Sequence, residues 1–454
     1  MEEDIYDFII VGAGPAGMFA CLEITKLTKQ SKILLIEMGE KIKNRNPSQV
    51  MMGVGGAGTF SDGKMHFSPT LSHEKAFHLI NIKDYQIILD EVDKIFTDYG
   101  VDSEYYPKNT DEVQKFLEEA QKNGIELIPR KIRHIGTDRV KEIMQTFETD
   151  LENKGVEILA KTEVVDLIIK NKICHGVITK DGKEIYGKKI LLAPGRIKAN
   201  WLQSMAAKFD IKYIFDIVEV GVRVEFPAFV MKKFSEQMYE AVFKIRTHTF
   251  DDIVRTFCPC PNGFVAIENY DDFICVNGHS NSNHKSDNSN FAFLCEVRLT
   301  DPVENTIAYA KSIAQVVTTI GGGKPIVQRL TDLTRGQRST WNRINKSTIK
   351  PSLVDVTPGD IAMALPYRIV KNIIEGLEQL DKIMPGINSG SNLLYAPEVK
   401  FRTTKFETDS KMETSNIKNL YVAGDAAGLS GSITGAATTG IMAGRGMVDL
   451  KSNL

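Results

Sequence analysis

The sequence has few cysteines, no excess of charge of either sign and no apolar run long enough to cross a membrane. Only six of its 454 residues are cysteine, which favours a reduced interior over a disulfide framework. Lys and Arg together number 56 and Asp and Glu 58, so the basic balance typical of nucleic-acid-binding proteins is missing. The apolar stretch at residues 8–22 follows an acidic segment and contains three glycines, unlike a signal peptide or a membrane span. We therefore expect a cytoplasmic protein with no nucleic-acid or membrane partner.

A strand, a glycine-rich turn, a helix and a second strand are predicted within the first 37 residues. Residues 5–11 and 32–37 are apolar runs typical of buried strands, and residues 15–29 favour a helix. Three glycines in G-x-G-x-x-G spacing lie between the first strand and the helix: Gly12, Gly14 and Gly17. This spacing allows a tight turn, the approach of a pyrophosphate and close helix–strand packing. Glu37 ends the second strand, where a carboxylate binds an unphosphorylated ribose, as in FAD or NAD, and repels the 2′-phosphate of NADP.

A second signal lies near the C-terminus, in "NLYVAGDAAGLSGSITGAATTG" at 419–440. A strand is followed by Gly424 and Asp425, and a helix is predicted from about Ser432. Asp425 can accept hydrogen bonds from a ribityl chain, and the N–H groups of the helix start supply positive potential. The alternative is a helix built for close packing, because its glycines form a small-residue face: Gly435, Gly440 and Gly444.

With "LLAPGR" at 191–196, these segments resemble the glutathione-reductase-like superfamily of FAD enzymes with two dinucleotide-binding folds. The resemblance implies that the first motif binds the ADP half of FAD and that Val164, on a meander strand, contacts adenine. It also implies that the turn at 193–196 lies near the cofactor. The full set of residues predicted to contact FAD is Gly12, Gly14, Pro15, Ala16, Gly17, Glu37, Met38, Arg45, Gly55, Gly56, Ala57, Val164, Ala193, Gly195, Arg196, Gly424, Asp425, Ser432, Ile433 and Thr434.

A closer resemblance extends over most of the chain. It rests on "GGAGTFSDGK" (55–64), "RHIGTD" (133–138), "GVRVE" (221–225), "RTFCPCPNG" (255–263), "VNGHS" (276–280), "SNFA" (289–292) and "YAPEVKF" (395–401). Together these resemble a prokaryotic family labelled uncharacterised FAD-dependent dehydrogenases, or NAD(P)/FAD-dependent oxidoreductases. The resemblance implies FAD and a redox role but no particular substrate. No second complete G-x-G-x-x-G fingerprint occurs, so NAD(P)H is expected at most as a transient electron donor.

The predicted fold class is α/β: a Rossmann-like FAD-binding domain with a β-meander, plus an inserted α+β substrate domain. The FAD-binding domain is assigned to residues 1–204 and 386–454, and the substrate domain to residues 205–385. Within the first, we predict a helix over 74–99. We also predict a three-stranded meander from 156 to 179, followed by a strand at 188–193 that returns to the main sheet.

Five glycines fall within "MMGVGGAGTFSDGK", residues 51–64. Each glycine loses conformational entropy on folding, so we expect something to approach this backbone closely. In the FAD superfamily this part of the chain runs along the pyrophosphate and ribityl chain. Disulfide reductases carry a redox cysteine pair here, whereas this sequence has no thiol, which excludes dithiol chemistry at this loop.

Catalytic residues are not identified, and six candidates are retained: Lys64, His66, Arg255, Cys258, Cys260 and His279. Lys64 and His66 follow the glycine-rich loop and could bind or protonate a substrate. The Cys258-x-Cys260 pair allows a redox or metal site, but its spacing fits no common zinc pattern and small buried thiols in a proline-constrained loop are favoured. Arg255 could anchor an anion. No metal is predicted.

The predicted function is hydride transfer between flavin N5 and a small organic substrate, either reduction of a C=C or C=N bond or the reverse dehydrogenation. Two alternatives remain open: a flavin monooxygenase and a non-catalytic flavin-binding sensor. The sequence leaves the oligomeric state and the identity of the substrate open.

Overall fold

The computed structural model describes residues 5–46, 50–61, 63–71, 73–270, 272–280, 284–299, 305–400 and 404–448. Asp62 of the glycine-rich loop and the last six residues lie outside these ranges. The chain forms two compact units. Unit 1 comprises Met1–Tyr105, Lys131–Asp216 and Thr403–Leu454, and unit 2 comprises Tyr106–Arg130 and Ile217–Arg402.

Up to residue 216 the elements are β1 (Tyr6–Val11), α1 (Pro15–Leu27), β2 (Ile33–Ile36), β3 (Lys64–His66), α2 (Ile82–Asp98), β4 (Tyr105–Tyr106), α3 (Thr110–Lys122), β5 (Ile125–Pro129), β6 (Ile132–His134), α4 (Thr137–Asn153), β7 (Val156–Leu159), β8 (Val164–Lys170), β9 (Ile173–Thr179), β10 (Glu184–Leu192), α5 (Ala199–Phe209) and β11 (Tyr213–Ile214). Short 3-10 turns occur at Ile42–Asn44, Ala57–Phe60, Glu74–Ala76 and Arg196–Lys198.

The remaining elements are β12 (Val218–Pro227), α6 (Lys232–Met238), β13 (Ala241–Arg246), β14 (Ile253–Cys260), β15 (Phe264–Asn269), β16 (Ile274–His279), β17 (Asn288–Val297), α7 (Thr306–Ile320), β18 (Ile326–Arg329), α8 (Leu330–Thr334), α9 (Trp341–Asn345), β19 (Thr357–Pro358), α10 (Tyr367–Leu380), β20 (Leu393–Lys400), β21 (Lys405–Phe406), β22 (Leu420–Val422) and α11 (Ile433–Val448).

The unit boundaries differ from the predicted limits at 205 and 385. The segment Tyr106–Arg130 joins unit 2 because β5 pairs with β13. Residues 386–402 join unit 2 as well, because β20 pairs with β12. Unit 1 is therefore assembled from three segments of the chain, and unit 2 from two.

Unit 1 is built on a parallel sheet in the order β7-β2-β1-β10-β22, the arrangement of a Rossmann-like fold. The first part of β10 also pairs antiparallel with β9, and β9 pairs with β8. The predicted meander was therefore wrong in its membership, because β7 lies in the parallel sheet and β10 supplies the third meander strand. The parallel pairing of β2 with β7 requires a crossover, and α4 lies directly before β7 in the chain.

The helix predicted over 74–99 begins only at Ile82. Asn81 caps it, because the Asn81 side chain accepts hydrogen bonds from Lys83 N at 3.1 Å and Asp84 N at 3.0 Å. Residues Glu74–Ala76 form a separate 3-10 turn. This break places the segment before Asn81 outside the helix.

Helices α1 and α11 pack very closely in unit 1. A Cβ added at Gly440 would lie 2.2 Å from Ala16 O, and one added at Gly444 would lie 3.0 Å from Ala20 O. The small-residue face of α11 is thus required for helix packing. The packing alternative for these two glycines is correct, and the start of the helix must be considered separately.

Unit 2 contains an eight-stranded sheet in the order β19-β18-β20-β12-β17-β14-β13-β5. One face of β12 carries valines that pack in an apolar core with α7 and α10. The opposite face carries three buried charged residues: Glu219, Arg223 and Glu225. Arg223 Nη1 contacts both carboxylate oxygens of Glu398, at 3.0 and 3.1 Å, so the charge of Arg223 is compensated inside the unit.

Candidate functional site

Four parallel strands of unit 1 end in register at one edge of the sheet. Val11 pairs with both Ile36 and Leu192, and Leu192 pairs with Val422. The turns that follow these strands therefore meet at one edge although the first, at Gly12, and the last, at Gly424, lie far apart in the chain. These turns carry the glycine motif, Glu37, the 193–196 turn and the Gly424–Asp425 pair.

The three glycines of the first turn differ in how much space the protein leaves for a side chain. Gly12 has φ +101°, and an added Cβ would lie 2.2 Å from Ala193 O. An added Cβ at Gly17 would lie 1.9 Å from Gly12 O. Gly14, in contrast, has φ −75°, and its added Cβ would meet only the Cα of Gly56, at 3.8 Å. Packing within the protein thus requires the first and third glycines but not the second.

The start of α1 is suited to an anion. Pro15 occupies the first turn and Gly14 is the N-cap residue, and no side chain caps this helix in the described part of unit 1. The first-turn N–H groups and the helix dipole therefore favour negative charge from a ligand. The start of α1 is also close to Gly424, because a Cβ added at Gly424 would lie 3.1 Å from Ala16 Cβ.

Glu37 is buried and organises the backbone around the turn. Its Oε2 accepts a hydrogen bond from Ala13 N at 3.0 Å. Its Oε1 accepts from Gly39 N at 2.9 Å and from Gly53 N at 2.8 Å. A carboxylate offers about four acceptor positions, so Oε2 retains capacity for a ribose hydroxyl. Glu37 therefore holds the turn and the loop together and can still serve its predicted role.

The glycine-rich loop lies directly on the turn that carries Gly12, Gly14 and Gly17. Gly55 N donates to Ala13 O at 2.8 Å, and a Cβ added at Gly56 would lie 2.9 Å from Gly14 Cα. Both loop glycines have positive φ, +87° and +65°. The backbone of the turn is therefore one of the groups that leave no room for side chains on this loop. The sequence could not reveal this contact.

Arg45 is a buried organiser of the same loop. Its Nη1 donates to Val54 O at 2.7 Å and to Gly56 O at 2.9 Å, and its Nη2 donates to Val50 O at 3.2 Å. Burial lowers the pKa of Arg45 to about 10, which still leaves it charged at neutral pH. Its predicted contact with phosphate or flavin stays a prediction, and its role in shaping the loop was missed because these partners are backbone carbonyls.

Arg196 and Asp425 come together from two different strand ends. Arg196 Nε donates to Asp425 Oδ2 at 2.7 Å, and Ser430 donates to the other carboxylate oxygen. Burial alone would raise the pKa of Asp425, but the Arg196 charge and the Ser430 hydrogen bond lower it below its usual value. Asp425 is therefore an ionised acceptor, in line with the ribityl contact predicted for it.

A buried histidine that sequence reasoning missed lies against the start of α11. His73 is fully buried; its Nδ1 lies 2.7 Å from Tyr85 Oη and its Nε2 lies 3.4 Å from Ser432 Oγ. Ser432 also accepts from Gly435 N at 3.0 Å, which makes it the N-cap of α11. A single histidine 359 positions away from its partner carries no local signal.

The remaining unit 1 candidates are distributed around this edge. Thr434 Oγ1 donates to the backbone O of His66 at 2.6 Å, which brings β3, with Lys64 and His66, to the first turn of α11. Ile433 packs against the 3-10 turn that Ala57 begins, because a Cβ added at Gly58 would lie 3.1 Å from Ile433 Cδ1. Three further predicted contacts are positioned by the sheet and its turns: Met38 follows β2, Val164 begins β8, and Gly195 has φ +67°.

The unit 2 candidates lie on β14 and at the end of β16. Arg255 binds Glu219 through Nε and through Nη2, the latter at 2.7 Å from Oε2, so most of its guanidinium is already used. Cys260 Sγ lies 3.5 Å from Arg223 Nη2. His279 is exposed at the end of β16, and Cys258 has φ +44° at a bulge of β14. Within the described ranges, no group of three or more His, Cys, Asp or Glu residues is arranged to hold a metal.

The parallel sheet, the glycine turn, the acid after β2, the meander and the late Gly–Asp strand define the fold type of FAD-dependent oxidoreductases. Two family models match the chain. One is described as FAD-dependent protein, C-terminal domain-like, and matches residues 218–401, which is nearly all of the larger segment of unit 2. The other, glucose inhibited division protein A, matches residues 354–453.

A curated relative and several solved structures are also similar. The relative is an uncharacterised protein of Clostridium beijerinckii, 24% identical over 472 residues, covering 95% of this chain and 79% of the relative. A 3-ketosteroid-delta4-(5alpha)-dehydrogenase from Rhodococcus jostii is 13% identical with a TM-score of 0.48, covering 99% of this chain and 98% of that one. The quinol fumarate reductase FrdA of E. coli is 12% identical with a TM-score of 0.46, covering 99% and 71%. These structural similarities are too remote to assign a reaction.

In the part of the chain that the structure describes, none of the helices is long and apolar enough to span a bilayer.

Proposed function

We propose that this protein is an FAD-dependent oxidoreductase that transfers a hydride between flavin N5 and a small organic substrate. The observation that carries the proposal is the space that the protein leaves at Gly14. A Cβ at Gly14 would make one ordinary contact with the protein, whereas those at Gly12 and Gly17 would clash with backbone. A glycine that internal packing does not require, at an uncapped helix start, fits a site where a pyrophosphate approaches the backbone.

The residues present fit the cofactor along its length. In the proposed arrangement the start of α1 binds the pyrophosphate, Glu37 Oε2 accepts from the adenosine ribose, and Asp425 accepts from the ribityl chain. Arg196 keeps Asp425 ionised and oriented. When bound, the flavin supplies the hydride chemistry, and the protein supplies binding, orientation and electrostatics.

The substrate and the electron donor belong to the same proposal. We assign substrate selection to unit 2, whose larger segment matches the FAD-dependent C-terminal model. Reduction of a C=C or C=N bond, or the reverse dehydrogenation, is the reaction class proposed. NAD(P)H is proposed as a transient donor, because the sequence contains no second dinucleotide fingerprint.

The test compares FAD binding by the wild type with that by two glycine variants. In Gly14→Ala the new methyl makes only an ordinary contact with the protein, so we expect a folded protein. Crowding of the ligand should weaken FAD binding by about 10- to 100-fold, corresponding to about 1–3 kcal/mol. The matched control is Gly182→Ala, in the β9–β10 turn. Its methyl meets nothing within 4 Å, although its φ of +83° adds strain.

The readout is flavin fluorescence on titration of FAD into apoprotein, with circular dichroism to verify folding. We expect tight binding by the wild type and by Gly182→Ala, and weak binding by Gly14→Ala. Absence of FAD binding by folded wild-type protein would overturn the proposal. Unchanged affinity in Gly14→Ala would remove the start of α1 from the site. Stopped-flow reduction with NAD(P)H then tests the donor.

A further inference from the structure

A buried chain of three polar side chains ends at the N-cap of α11. Tyr85 lies on α2, His73 precedes the 3-10 turn at Glu74–Ala76, and Ser432 precedes α11. Tyr85 and His73 are both fully buried, whereas Ser432 is only partly buried. The only member of the three with access to a ligand is therefore Ser432.

Hydrogen-bond accounting at Ser432 decides which way its hydroxyl points. A serine hydroxyl has two acceptor positions and one proton. One acceptor position of Ser432 Oγ takes the N–H of Gly435, at 3.0 Å. The second faces Nε2 of His73, at 3.4 Å. If that nitrogen carries the proton, both acceptor positions are filled and the Ser432 proton points away from Gly435 and His73.

Tyr85 selects this tautomer of His73. Burial raises the pKa of Tyr85, although a hydrogen bond with Thr438 acts in the opposite direction, so the phenol stays protonated. Its Oη lies 2.7 Å from Nδ1 of His73, and we assign the phenol proton to this contact because the buried O–H then has an acceptor. An imidazole that accepts at Nδ1 carries its proton at Nε2 and donates to Ser432.

The neighbouring hydroxyl cannot take over the donor role. Thr434 Oγ1 uses its single proton on the backbone O of His66, at 2.6 Å. It lies 3.5 Å from Ser432 Oγ, the long limit of a hydrogen bond, and towards Ser432 it can only accept. Of these two first-turn hydroxyls, only that of Ser432 can donate to a ligand.

We infer that Tyr85 and His73 are positioning residues that fix Ser432 as a hydrogen-bond donor to the acceptor edge of the bound flavin, N1 and C2=O. This rests on the proposed function, since it requires FAD at this site. The reduced ring carries more negative charge at that edge than the oxidised ring. A donor fixed there stabilises the reduced form and raises the reduction potential of the bound flavin. No proton is transferred along these side chains. The three hydrogen bonds only keep each donor and acceptor in one orientation.

The test measures the reduction potential and the FAD affinity of four variants. Ser432→Ala removes the donor, and we expect the potential to fall by about 30 mV, a tenfold change in the two-electron equilibrium constant. Ser432→Thr keeps the hydroxyl and should restore the wild-type value. Tyr85→Phe frees the tautomer of His73 and should lower the potential by a smaller amount. Tyr99→Phe, which removes a hydroxyl bound to Asp150 at 2.5 Å in the same unit, is the matched control and should change nothing.

The outcomes distinguish a failure of this inference from a failure of the proposed function. If FAD binds but Ser432→Ala leaves the potential unchanged or raises it, the donor assignment is wrong while the cofactor assignment stands. If Ser432→Ala no longer binds FAD, Tyr85→Phe decides, and a wild-type potential in that variant overturns the inference. If the wild type binds no FAD, the proposed function itself fails.

Discussion

Glu37 offers the sharpest test of how the loop and the turn are held together. Its carboxylate accepts hydrogen bonds from three backbone N–H groups, those of Ala13, Gly39 and Gly53. Leaving a buried donor unsatisfied costs about 1–3 kcal/mol. Glu37→Ala removes all three acceptors, which sums to about 3–9 kcal/mol. Because a folded domain is stable by only about 5–15 kcal/mol, we expect this variant to unfold wholly or largely in unit 1.

Glu37→Gln should behave differently, since its remaining oxygen can keep the bonds to Gly39 and Gly53. Its NH₂ group would then face the N–H of Ala13, donor against donor. The loss of one hydrogen bond to a charged group costs about 1.5–3 kcal/mol, so this variant should fold with reduced stability. The same NH₂ replaces the oxygen proposed to accept from the ribose, so FAD affinity should fall by at least about tenfold.

The assay is urea unfolding followed by circular dichroism, with FAD titration of each folded variant. Glu40→Gln is the control, because Glu40 pairs with the largely exposed Lys161 at 2.6 Å and such pairs contribute little. We expect the order of stability to be wild type and Glu40→Gln, then Glu37→Gln, then Glu37→Ala. A Glu37→Ala protein as stable as the wild type would refute the reasoning.

Two further predictions concern buried charge. Burial raises the pKa of Glu148, so as pH increases the unfolded carboxyl ionises first and the folded state is penalised above the ordinary value of 4.5. Glu148→Gln should therefore stabilise the protein near neutral pH, with the gain vanishing below about pH 4. Urea midpoints across this range, with the exposed Glu142→Gln on the same helix as control, check it. In unit 2, a Cβ at Gly278 would lie 1.9 Å from Arg223 Nη2. Gly278→Ala should thus disrupt the Arg223–Glu398 pair and cost about 3–5 kcal/mol, measured by thermal unfolding, and an unchanged midpoint would contradict this.

The local sequence pattern predicted the elements on either side of the turn that carries Gly12, Gly14 and Gly17. Apolar runs bounded by glycine and proline placed β1, α1 and β2 within two residues of their observed ends. Periodicity could not assign β7 to the parallel sheet, because a short apolar strand reads the same whether its partner is parallel or antiparallel. It also extended α2 backwards across Asn81, where a capping side chain starts the helix.

Tertiary contacts explain what the sequence could not show at the site. Arg45 was predicted to contact phosphate or flavin, and its hydrogen bonds to Val54 and Gly56 could not be predicted because they exist only once the loop has folded over it. His73 was not considered, since its partners Tyr85 and Ser432 lie on elements brought together by the fold. Residue type and spacing locate a turn, but they do not report which side chains reach it.

The charged face of β12 limits how the unit 2 sheet can be assembled. Side chains on a strand alternate between faces, so sliding β12 by one residue past its neighbours would move its entire set to the other side. Glu219, Arg223 and Glu225 would then enter the layer occupied by α7 and α10, each without its partner. A shifted β12 would lose its packing and would also bury these charges without partners, which costs far more. The ion pairs therefore favour the correct register of β12 during folding.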